Sequence, residues 1–143
     1  MSGILVALLS GALMSIQGVW NTQVTKQTST WVAAGFVQAT AFLVCLAAWA
    51  FTGRPSVGAL FEVKPWYTLL GGVVGAFITI TVIWSMGSLG PAKAAMLIVV
   101  SQLAVAWIIE LSGMFGMEKT PFSWRKLMGM AIAVTGIVIF QWK

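Results

Sequence analysis

The sequence predicts an all-α integral membrane protein with five transmembrane helices. Composition is the first observation: 59% of the residues are hydrophobic and 8% charged, against about 45–50% and 25% in soluble domains. A water-soluble chain of 143 residues needs a charged shell that eight cations and three acids do not supply. Length is the second. A hydrocarbon core of about 30 Å takes about 20 apolar helical residues at about 1.5 Å each, and five runs meet or approach that. The runs are continuous rather than alternating, which excludes a transmembrane β-barrel.

The five segments fall at 4–24, 31–51, 66–86, 92–112 and 127–142, within one domain, 1–143. The fifth is short, and Arg125, Lys126 and Lys143 extend its reach by snorkelling. Met1-Ser2-Gly3 carries no positive charge and the first run is long, so a cleaved signal peptide is not expected. Polar residues 26–30 form the first loop. Gly53-Arg54-Pro55 stops the second helix, and 56–65 make a longer, partly amphipathic connector. Residues 87–91 form a tight turn, with Pro91 opening the fourth helix as antiparallel neighbour of the third. A loop at 113–123 precedes the fifth. Trp31, Trp49, Trp66, Trp124 and Trp142 lie near segment ends, as interfacial indoles do.

The chain has no His and no Asp, and its acids are Glu62, Glu110 and Glu118. Ser-His-Asp triads, His metal sites and most acid–base pairs are thereby excluded. No enzyme activity and no cofactor is expected. Cys45 is the single cysteine and has no intrachain partner for a disulfide. The net charge of +5 reads as bilayer anchoring rather than nucleic-acid binding, because the cations sit at the ends of apolar runs.

Helices in lipid associate through small residues and interhelical hydrogen bonds. Small residues recur every fourth position at Gly3/Ala7/Gly11/Ser15, Gly71/Gly75/Thr79 and Gly129/Ala133, and more weakly at Gly35/Ala39. An odd helix count puts the termini on opposite sides, so a second copy completes an inverted repeat only when inserted upside down. Arg54, Lys64, Lys119, Arg125 and Lys126 fall on the N-terminal face and Lys26, Lys93 and Lys143 on the other. Five against three is a weak bias toward a cytoplasmic N-terminus, compatible with dual insertion.

Polar groups at membrane depth are costly unless partnered. Gln17 and Asn21, four apart, share a face of the first helix. Gln38 lies in the second helix, and Gln102 near the middle of the fourth beside Ser101. Thr79, Thr81 and Ser85 are expected to bond the preceding turn. The four amides are either interhelical glue or the lining of a polar cavity. As a set they point to the cavity, with Trp20 and Trp84 as candidate walls. Glu110 lies about 27 Å along its helix from Ala92, near the far interface, and is expected to be a solvated helix-end acid. Lys93 is expected to reach the headgroups.

Gly11-Ala-Leu-Met-Ser-Ile-Gln-Gly-Val-Trp-Asn-Thr-Gln23 resembles the first-helix signature of the five-helix YdcZ-like family of the drug/metabolite transporter superfamily. The resemblance continues through Pro65-Trp66, the run from Gly71 to Ala76, Gly90 with its Ala-rich helix start, Ser101-Gln102-Leu103, Glu110 and the Gly129–Gly136 helix. It implies five-helix half-transporters that work as antiparallel homodimers, as opposite-topology heterodimers or as fused ten-helix chains. The related four-helix multidrug exporters depend on a first-helix Glu, whose place resembles that of Gln17 here. That departs from proton-for-cation exchange of their kind.

Together these readings lead to an expected role as a small-solute transporter of the inner membrane. It is half of an inverted-repeat ten-helix carrier, completed by antiparallel dimerisation, with an undefined substrate. Substrate contacts are expected at Gln17, Asn21, Gln38, Gln102, Trp20 and Trp84. The expected partners are the lipid bilayer, a small molecule and a second copy or opposite-topology relative, with no nucleic acid. A channel-like pore and a non-transporting accessory subunit are the alternatives.

Overall fold

The computed structural model of the chain describes residues 2–141. Five long helices appear among them: α1 Gly3–Gln27, α2 Thr30–Phe51, α3 Gly71–Leu89, α4 Pro91–Ser112 and α5 Trp124–Gln141. No strand occurs among the described residues. Four stretches have the length and mean hydropathy, between 1.7 and 2.1, to cross a membrane: α1, α2, Trp66–Leu89 and α4. α5 is not among them, since Trp124, Arg125 and Lys126 occupy its first turn. The predicted end of the fifth segment at Trp142 lies outside the described residues.

Local chemistry explains where the helices begin and end. Ser29 caps α2, its hydroxyl accepting from the Val32 amide at 3.2 Å, a geometry worth about 1 kcal/mol. Gly53 (φ 93°) and Arg54 (φ 50°) then turn the chain out of α2. A single residue, Gly90, separates α3 from α4. Its φ of 82° is a conformation only glycine takes without strain, and Pro91 follows at the first helical position. Gly113 closes α4 in the left-handed conformation, its amide donating to the Ile109 carbonyl at 2.9 Å.

Two details differ from expectation. Trp66–Leu70 forms a 3-10 turn before α3 rather than α-helix. The connector and the last loop each contain 3-10 structure, at Val57–Glu62 and Met114–Gly116.

The chain divides into two compact units, one ending at Ser88 and the other beginning at Leu89. In the first, the buried residues are Gly18, Asn21, Ala33, Ala34, Ile80, Ile83 and Met86. All lie toward the C-terminal ends of α1 and α3 or in the first turns of α2, so the three helices meet at one end. Small residues on α1 and α2 let the backbones approach, and the larger side chains of α3 fill the space. Gly18 is the closest approach: a Cβ there would overlap the Met86 Sδ and stand 3.2 Å from the Val82 Cγ1. Toward the opposite end the side chains are bare, with Leu5 58% and Leu9 53% exposed.

The spaced-by-four stripes are therefore not what packs this unit. Added Cβ atoms at Gly3, Gly11, Gly35 and Gly71 would meet nothing within 4 Å, and one at Gly75 would meet only the Gln38 amide, at 3.8 Å. The stripe that does make contact is Gly18 and Thr22, the latter's Cγ2 lying 3.9 Å from the Cβ position of Gly87.

In the second unit α4 packs on α5. The loop between them folds back so that the Thr120 amide donates to the Glu110 carbonyl at 2.9 Å. Trp107 and Phe122 stack with centroids 5.5 Å apart, and Trp124 meets the edge of Phe122 at 5.3 Å. Lys126 donates to Glu110 Oε2 at 2.6 Å. Glu110 pairs with Lys126 while its side chain stays 40% exposed, in keeping with a solvated acid at the helix end.

Gly18→Leu should destabilise the detergent-solubilised chain by about 2 kcal/mol, the usual cost of overpacking, whereas Gly11→Ala should be nearly neutral. Thermal melts followed by circular dichroism measure the contrast.

Candidate functional site

Hydroxyls and amides behave differently at membrane depth. Among the helix hydroxyls, Thr22 donates to the Gly18 carbonyl, Thr79 to Gly75, Thr81 to Phe77, Ser85 to Val82 and Ser101 to Ile98. Each reaches its own preceding turn, as a short side chain can. An amide on a longer stem lacks that option. Among the described residues no hydrogen bond reaches the side-chain amides of Gln17, Asn21, Gln38 or Gln102. Within the first unit, Gln17, Asn21 and Gln38 do not act as glue for one another.

Asn21 is the sharpest case, being 7% exposed and the one buried polar residue among those described. Its amide makes no hydrogen bond among the described residues and is not fully enclosed, so a partner from outside the chain can still reach it. Gln17, one turn earlier on the same face, is exposed, and Gln38 is half-buried. Trp20 is 69% exposed and does not contact this core, while Trp84 is 58% exposed and anchored by its Nε1, which donates to Thr30 Oγ1 at 3.3 Å. Gln102 is exposed on α4, in the second unit.

Two grooves run along α3. One, of about 580 Å³, separates α2 from α3 and holds Gln38 beside Trp31, Ala76 and Phe77. The other, of about 550 Å³, lies between α1 and α3 and holds Trp84 with Thr22, Thr25 and Lys26. Gln38 and Trp84 thus line grooves of the first unit, and Gln17 and Trp20 line neither. The second groove brings in three residues that sequence reasoning did not select. Lys26 makes no ion pair among the described residues; its signal was its place one turn beyond Asn21 and Thr22. One groove thus offers an amide and an indole, the other hydroxyls, an indole and a cation, each among apolar walls that suit reversible recognition of a small solute.

A family model described as "Putative inner membrane exporter, YdcZ" matches residues 2–139. The chain belongs to this family. It is accordingly a multi-pass protein of the inner membrane, from a family of membrane transporters. No curated protein and no solved structure matches the chain.

For this family member, Asn21→Leu should separate stability from function. Replacing the amide is expected to leave stability in detergent melts unchanged to within about 1 kcal/mol, while solute binding or flux falls. Loss of stability without loss of binding or flux would assign Asn21 to packing.

Proposed function

We propose that this chain is one half of a small-solute carrier of the inner membrane, working as a pair of copies inserted in opposite senses. In this reading α5 crosses the membrane as a fifth span, its short apolar stretch extended by Arg125 and Lys126 at the interface. The two copies form an inverted repeat around a central polar cavity. Gln17, Asn21, Gln38 and Gln102 face that cavity, and Trp20 and Trp84 form part of its wall. A second copy that presents the same surfaces upside down supplies the groups these amides lack at home.

The observation that carries the reading is the contrast between self-satisfied hydroxyls and partnerless amides. Two further features agree with it. The small-residue face at Gly3/Gly11 has open space above it, as a surface awaiting a close helix would. The N-terminal half of α1 is also bare in the single chain.

Transport follows from differential solvation. A solute that bonds Asn21 and Gln38 gives up water for amides that are otherwise unsatisfied, so the occupied cavity is more stable than the dry one. Exchange between inward- and outward-open forms then needs no covalent step.

Purified protein in sealed vesicles, screened with amphipathic cations and polar metabolites, should show saturable flux for at least one class, reduced about tenfold or more by Gln38→Leu. A tenfold loss corresponds to about 1.4 kcal/mol, the scale of one hydrogen bond. Ohmic current would identify a pore. Intact assembly with unchanged flux after Gln17→Leu and Gln102→Leu would remove the amide-lined cavity from the account.

A further inference from the structure

The second unit contains a feature that the carrier reading does not use. Between α4 and α5 lies a groove of about 320 Å³, with the Lys126–Glu110 pair at one end. Its floor is open because the facing positions are small: Ala106 on α4, and Gly129 and Ala133 on α5. Along one wall lies Trp107, whose Nε1 is buried with no hydrogen-bond partner among the described residues. An indole N–H is only a donor. Leaving it buried and unpaired is costly, and its own chain offers it no acceptor.

The groups are ordered by depth. Trp107 precedes Glu110 by three residues, which places it about 4.5 Å further into the membrane, and Leu103 lies about 10 Å further in. On α5, Gly129 and Ala133 descend from Lys126 by the same intervals. From the interface inward the groove is therefore lined by a cation, then by an indole whose covered N–H has no acceptor, then by an apolar trough. The ion pair does not saturate the cation, since Lys126 has three N–H donors and is 49% exposed. Arg125 stands next to it in the chain, with no acidic partner among the described residues.

We infer that this groove binds one anionic, ester-linked glycerophospholipid. The phosphate meets Lys126, with the charge of Arg125 next to it in the chain; the Trp107 indole turns to bring its covered Nε1–H to an ester carbonyl, and the acyl chain lies over Ala106, Gly129 and Ala133. Basic side chains between helices at the membrane surface favour anionic headgroups, and the orphan donor adds a requirement for an acceptor just below the phosphate. The three chemistries of the groove match the three zones of such a lipid in the same order.

Native mass spectrometry of the full-length protein, released from micelles doped with defined lipids, tests this. Phosphatidylglycerol should remain bound in preference to phosphatidylcholine. The dialkyl-ether analogue of phosphatidylglycerol, which keeps the charge but lacks the ester carbonyl, should bind about fivefold more weakly, as loss of one hydrogen bond implies. In Trp107→Phe the ester–ether difference should vanish, and Lys126→Gln should erode the preference for the anionic headgroup. The comparison of ester and ether lipids on the unaltered protein decides the matter even where a variant fails to fold. Equal retention of ester and ether lipids, equal retention of anionic and zwitterionic lipids, or a groove that keeps no lipid overturns the assignment.

Discussion

Hydrocarbon offers no hydrogen bonds, and the rest of this structure depends on that constraint. The backbone meets it by becoming helix almost everywhere between the loops. Thr and Ser meet it by returning a bond to their own preceding turn, as at Thr22, Thr79 and Thr81. What remains are the groups too long to fold back and too polar to ignore. Asn21, Gln38 and the Trp107 indole N–H are these residual groups; Gln38 and Trp107 line grooves between helices, and Asn21 lies at the packed end of the first unit.

The same solvent explains the uneven packing. Burial in lipid gives no hydrophobic reward, so helices stay together only where backbones approach closely. In the first unit that happens around Gly18, where Met86 and Val82 press against the bare backbone. The exposed half of α1 is apolar and compatible with lipid, yet it carries a small-residue face.

Much of the fold was legible because hydropathy is a local property. The runs at 4–24, 31–51 and 92–112 match α1, α2 and α4 to within a few residues, and Gly90-Pro91 marked the break before α4. Residues 66–70 were harder, since a short apolar stretch after Pro65 serves a 3-10 turn and an α-helix equally. Which face meets which neighbour is a tertiary fact, so Gly11 and Gly18 are indistinguishable by composition. The Gly18–Thr22 spacing was available but lay within the segment read for its amides. The acid at the end of α4 and the cation at the start of α5 likewise lie sixteen residues apart, and only the folded loop joins Glu110 to Lys126.

Membership in an inner-membrane exporter family fixes the setting, and the unpartnered amides are the groups that the proposed pairing of two copies would satisfy. Dual insertion is the hinge of the account. The most direct measurement is protease accessibility of a C-terminal tag in sealed native membrane vesicles of known orientation, from cells producing this chain alone. The account predicts comparable tagged fractions on both faces, with the two orientations recovered together in one purified assembly. Tags confined to one face, or a solitary protomer, would contradict it.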